Sequence, residues 1–171
     1  MNWDMIANLL QRSRPAHNGP FRVVLYSRMP YTEGQEATAQ SHIKFMKIVV
    51  NRDPRFRIID VCAEFGIRKP VLSSMLEYQR IIEKCKAGEI DLIMVHDLSR
   101  LALDTSHLMQ NVEPLAVCQP EIGILSFADR LLVMSSDAAG WAEKMASGDY
   151  SACRLPYFVG FIPPAQGRSE T

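Results

Sequence analysis

The sequence has no excess of charge of either sign: 19 Lys and Arg stand against 19 Asp and Glu in 171 residues. A wholesale electrostatic attraction to nucleic acid or to an anionic membrane needs surplus positive charge, so any contact with a phosphate backbone must be local and weak. Long apolar runs are lacking as well. Stretches such as Leu131 to Met134 fall far short of the ~20 residues that cross a bilayer, and no membrane partner is expected. The four cysteines, Cys62, Cys85, Cys118 and Cys153, have no Cys-x-x-Cys spacing, so they read as reduced core thiols of a cytoplasmic protein. Asp4 occupies a position where a secretory leader would carry positive charge, and no secretion is expected. No internal repeat, low-complexity tract, cofactor motif or metal-ligand motif is found, and neither a cofactor nor a metal is expected. What is present is apolar residue, 47% of the chain, enough for one sizeable core.

Periodicity divides the chain into alternating elements. Trp3, Ile6, Leu9 and Leu10 stand at helical spacing, and Pro15, Asn18, Gly19 and Pro20 then break regular structure, so residues 1 to 20 read as a short helix on a linker. Phe21 to Ser27 is a β-rich run, Gln35 to Val50 a helix with one apolar stripe, and Phe56 to Cys62 a second strand. Leu72 to Ala87 predicts a helix closed by Gly88, and Asp91 to His96 a strand apolar on both faces. Asp104-Thr105 can cap a further helix running to about Cys118, with Pro114 perturbing its last turns. Ile122 to Phe127 and Leu131 to Met134 predict a fourth and a fifth strand, and Asp137 to Ala146 a short terminal helix. This order implies an α/β domain: a four- to five-stranded, mostly parallel sheet with helices on both faces. In such sheets the working groups collect at the carboxyl ends of the strands, which selects Ser27 to Thr32 and Asp97 to Asp104.

Those two loops read Tyr26-Ser27-Arg28-Met29-Pro30 and Leu98-Ser99-Arg100-Leu101-Ala102-Leu103-Asp104-Thr105, and between them stands Lys86-Ala87-Gly88-Glu89-Ile90-Asp91. Taken in order, they resemble the Y-x-R-x-S, L-D-R-L-x-R and K-x-G-x-I-D motifs of the serine site-specific recombinases, the resolvase/invertase family. The resemblance covers about residues 21 to 135. It implies a three-layer resolvase-like domain over residues 21 to 147. Residues 148 to 171 are then left as a tail similar to the entry into the second domain of the large serine recombinases. The family's reaction is attack of a serine hydroxyl on a DNA phosphodiester, with several arginines focused on the phosphate.

Carried over residue by residue, the resemblance implies a dismantled site. The nucleophile position is Pro30, which offers neither a hydroxyl nor a backbone N–H. The acidic residue of the L-D-R-L motif is Ser99, its second arginine is Leu103, and the arginine early in the second helix of the sheet domain falls on Met75. No catalytic residue is therefore expected. Arg28 and Arg100 match family arginines and either hold a phosphate or serve as salt-bridge partners of Asp97 and Asp104. Ser27 points to the opposite face from Pro30, and Tyr31 and Thr32 follow on the loop, so none of these hydroxyls is an evident substitute. His96-Asp97 suits acid/base chemistry but, without a nucleophile beside it, reads as structural. The family's long dimer helix corresponds to the short, Gly140-interrupted stretch from Asp137 to Gly148. The expected activity is binding, to an active serine recombinase, to another copy or protein, or weakly to DNA phosphates. Two alternatives stay open: a recombinase with a substitute nucleophile, and a module for small anions or nucleotides.

Overall fold

In the computed structural model the described residues are 1–140, 143–144, 147–148 and 156–160. The central strands are apolar and buried along almost their whole length, so both faces of the sheet must be covered, and helices cover them. The strands are β1 (Phe21–Met29), β2 (Phe56–Phe65), β3 (Leu92–Val95), β4 (Gly123–Ser126), β5 (Leu131–Met134) and β6 (Tyr157–Phe158). They form one sheet in the order β2-β1-β3-β4-β5-β6. The first four are mutually parallel, and β5 and β6 are added antiparallel. The α/β class and the largely parallel sheet agree with the sequence reading; the sheet has one strand more than the four or five expected.

The helices are α1 (Trp3–Arg12), α2 (Glu36–Val50), α3 (Leu76–Lys86) and α4 (Thr105–Val112). On one face Val24, Tyr26, Ile93, Val95 and Ile124 pack against Tyr78, Ile81, Ile82 and Cys85 of α3 and Val112 of α4. On the other, Val23, Leu25, Leu92, Met94 and Leu125 pack against Ile6, Leu9 and Leu10 of α1 and Met46 and Val50 of α2. Three layers follow directly from the period-two alternation of the strands.

The helix at the amino terminus is thus half of one outer layer, whereas its sequence reads as a helix on a linker. Asn2 caps it by accepting from Met5 N at 3.0 Å. Gly123 lets it approach β4, because a Cβ there would lie 2.8 Å from Leu92 Cδ1 and 3.0 Å from Leu10 Cδ2. Arg14, just beyond α1, is buried and donates from Nε to Asp91 at 3.0 Å. Asp91 is fully buried and also accepts from Arg22 N, Nε and Nη2 at 2.7, 2.9 and 2.8 Å. Burial pushes the Asp91 carboxyl up, and the hydrogen bonds and charges of Arg22 and Arg14 outweigh it, so the carboxyl is held below its ordinary range.

Caps expected from sequence are in place: Asp104 accepts from His107 N at 2.8 Å, and Gly88 follows α3 with φ of 72°. The helix expected over Leu72 to Ala87 is split, with a 3-10 turn at Leu72–Ser74 before α3. α4 stops at Val112 and passes into a 3-10 turn containing Pro114, which lacks the N–H needed to continue. Ser135–Ala138, where the terminal helix was expected to begin, is also a 3-10 turn, and several residues of the expected helix lie outside the described residues. In the tail, Val159 is buried, its N donates to Arg130 O and its O accepts from Asn2 N, each at 2.8 Å, so this strand closes over the start of the chain. Among the described residues no helix is long and apolar enough to cross a membrane.

Candidate functional site

Because β2, β1 and β3 are parallel neighbours, their carboxyl ends deliver Arg28 to Pro30, Glu64 to Ile67 and His96 to Arg100 to one rim of the sheet. Among the described residues Arg28 is the largest of the fully buried side chains, at 2% exposure. Its Nε donates to Arg100 O at 3.1 Å, and Nη1 and Nη2 donate to the carbonyl oxygens of Ile67 and Ser99. One guanidinium thereby ties the loop after β2 and the loop after β3 to the end of β1. Burial, the strongest influence on it, draws the Arg28 guanidinium below its ordinary value.

Arg100 returns the contact. Its Nη1 donates to Arg28 O at 3.2 Å and lies 3.1 Å from Met29 Sδ, while Nε is 3.2 Å from both oxygens of Asp97. The two arginines expected from the sequence are brought together, but through backbone carbonyls. Of the two acids proposed as partners, Asp97 pairs with Arg100, and Asp104 instead caps α4 and contacts His107.

Asp97 is a hub. Its Oδ1 accepts from Ser99 Oγ, its Oδ2 lies 3.0 Å from His96 Nδ1, and Arg100 reaches both oxygens. Burial acts to raise its carboxyl, and the hydrogen bonds from Ser99 and His96 with the charge of Arg100 hold it below the ordinary carboxylate range. Against His96 lies the ring of His42, from α2, with centroids 3.7 Å apart and planes 5° from parallel. Burial first, then His96 and Arg100, lowers the His42 value and favours its neutral ring. On the other flank Glu64 is buried, accepting from Tyr26 Oη at 2.5 Å and from Glu77 N in the first turn of α3.

Pro30 ends β1 in a bend and is partly buried. Met75 is fully buried in the α3 layer, Leu103 is exposed, and Ser99 is exposed with its hydroxyl on Asp97. Ser27 is fully buried and its Oγ has no hydrogen-bond partner. Tyr31 is exposed, with Arg68 over its ring at 5.0 Å. The hydroxyl best placed beside a base and a cation is that of Ser99, which was read only as a lost acid. Its partner Asp97 stands two residues before it on the same loop, and that spacing was the available signal. His42 was missed altogether, since nothing local in α2 marks it and only the fold sets it on His96.

No protein-family model matches the chain. No curated protein matches its sequence. Among solved structures it is similar to the N-terminal catalytic domain of TP901-1 integrase. That match has 15% identity and a TM-score of 0.49, over 65% of this chain and 80% of the other. It is also similar to the C-terminal catalytic domain of ISC1926 TnpA, an IS607-like serine recombinase, at 10% identity and a TM-score of 0.44. There it covers 53% of this chain and spans 65% of the other, less than two thirds of that domain. The likeness in both cases is one of fold.

Proposed function

We propose that this chain is a serine-recombinase-like domain that does not cleave DNA and acts by binding, with an active serine recombinase as its partner and DNA phosphates as at most a weak, local one. The observation that carries this reading is the end of β1: Pro30, which the motif resemblance aligns with the family's nucleophile, has no hydroxyl, and Arg28 two residues before it is buried with three of its donors on backbone carbonyls. A transferring phosphate needs a hydroxyl to attack it and free cationic donors to stabilise it, and the end of β1 offers no hydroxyl at Pro30 and an Arg28 whose three guanidinium nitrogens each already donate to a carbonyl. Incubation with a nicked suicide substrate is expected to yield no covalent protein–DNA adduct under conditions where an active serine recombinase reacts. Co-purification with such a recombinase is expected, and a chain that stays monomeric in its presence would count against the binding role.

One observation favours a second reading, an active recombinase with a substitute nucleophile. Ser99 Oγ is exposed, donates to Asp97 and lies 3.1 Å from Arg100 Nη2, so a hydroxyl, a carboxylate and a cation are together. A carboxylate held below its ordinary range is a weak base, which is why this stands second. An adduct formed by the native chain and abolished by Ser99→Ala would establish it. The remaining reading, an anion or nucleotide module at Arg28 and Arg100, requires the ligand to displace carbonyl and carboxylate partners. Saturating phosphate or nucleotide that raised the melting temperature would support it.

A further inference from the structure

We propose that His42, His96 and Asp97 form a binding site for a divalent transition-metal ion of the zinc class. The sequence suggested no metal because these residues form no local motif: one lies in the middle of α2 and two at the end of β3. The fold brings them together. One ligand atom from each lies within 4.8 Å of the others, and this is the one such group of three among the described residues.

Three features make the cluster a candidate site. His96 Nδ1 and Asp97 Oδ2 are 3.0 Å apart, a hydrogen bond that has to lengthen only to the ~3.4 Å separating two tetrahedral donors on one ion at ~2.1 Å. His42 Nδ1 is buried and has no hydrogen-bond partner; an imidazole nitrogen in that state is a lone pair or a proton without a destination, and an ion is one of the few things that supplies it. Asp97 Oδ1, turned away from the imidazoles, is already held by Ser99 Oγ and by Arg100 Nε at 3.2 Å, which is the outer support that keeps a ligating carboxylate in place.

Donor chemistry selects the ion. Two imidazoles and one carboxylate suit Zn²⁺, Co²⁺ or Ni²⁺ and are a poor set for Mg²⁺ or Ca²⁺, which take oxygen ligands. Three protein ligands leave at least one position open to water or another ligand. Imidazole lone pairs lie in the ring planes, so binding must open the 5° stack of His42 on His96, which calls for rotation of the partly exposed His42 side chain. The ion would take Asp97 Oδ2 from Arg100 Nε, which keeps its 3.2 Å contact with Oδ1.

The full chain, freed of metal by chelation, is titrated with Co²⁺ while its visible absorption is followed, and with Zn²⁺ in a calorimeter. One ion per chain is expected, with Zn²⁺ displacing Co²⁺ and Mg²⁺ giving no heat. His42→Gln and His96→Gln are each expected to weaken binding by about tenfold or more, and His17→Gln and His107→Gln to leave it unchanged. Circular dichroism checks that each variant is folded. Should His96→Gln fail to fold, His42→Gln, at a partly exposed position of α2, decides alone. Absence of a one-site isotherm, or binding that survives His42→Gln unchanged and so belongs to other donors, overturns the proposal.

Discussion

Arg28 has a charged, always protonated side chain in the least accessible part of the rim, and its donors meet carbonyls of Arg100, Ile67 and Ser99. A buried acceptor left without its donor costs ~1–3 kcal/mol. Arg28→Leu is therefore expected to lower stability by at least about 2 kcal/mol in urea denaturation; a neutral result would mean that the guanidinium does not hold these loops and is available to a ligand. The same packing bears on Pro30. Pro30→Ser is expected not to restore DNA cleavage, because a hydroxyl returned beside an occupied arginine, with Met75 in the core and Leu103 at the surface, is one member of a set that works only as a unit. A covalent adduct formed by Pro30→Ser on a suicide substrate would sink that reading. At this scale the sequence was legible where residues stand in a run: Arg28 and Pro30 at the end of β1, and Ser99 and Arg100 in the loop after β3, stand out there as candidates. The partners of Arg28 were not, since a backbone carbonyl leaves no trace in sequence.

Among the elements, those with strong internal periodicity were readable and those defined by what they touch were not. β1 to β5 and α2 to α4 follow from β-rich or apolar runs, helical spacing and caps, with boundaries shifted by a few residues. α1 was visible as a helix, but its amphipathic pattern says only that one face must be covered. Its destination, the sheet face also covered by α2, depends on Gly123 admitting Leu10 and on Arg14 reaching Asp91. β6 has two residues, too few for any periodicity, and exists through its pairing with β5. Leu10 is fully buried against Leu92 and Leu125 in this layer, so Leu10→Ala is expected to cost ~2–5 kcal/mol, the range for truncating a buried leucine. Thermal or urea unfolding measures it. A loss under about 0.5 kcal/mol, the level of a surface substitution, would show that the helix is an appendage as its sequence first suggests.

Across the whole molecule charge is balanced in number, and carboxylates are tied to cations at both ends of the sheet. Asp91 holds Arg14 and Arg22 at the amino end of β3, and Asp97 holds Arg100 at its carboxyl end. On β2, Asp60 receives Lys84 Nζ at 2.8 Å and Arg80 Nη1 at 2.9 Å; the Lys84 hydrogen bond is the stronger influence, and the carboxyl is pushed down to about 2. Each of these acids binds its proton less tightly in the folded chain than in the unfolded one, where the ordinary value is ~3.9. The unfolded state therefore takes up protons first as pH falls. Stability is fully present above ~4 and is lost as pH drops toward about 2. Urea midpoints measured across this window are expected to fall steadily. Asp60→Asn sharpens the test, because it removes the charge and keeps the shape: its deficit against the native chain should be largest near neutral pH and shrink as pH falls through about 2, below which both chains are uncharged at that position. A deficit that stayed constant over the window would show that Asp60 contributes by packing and hydrogen bonding alone, and that the acid sensitivity of the fold resides in the Asp91 and Asp97 clusters at the two ends of β3.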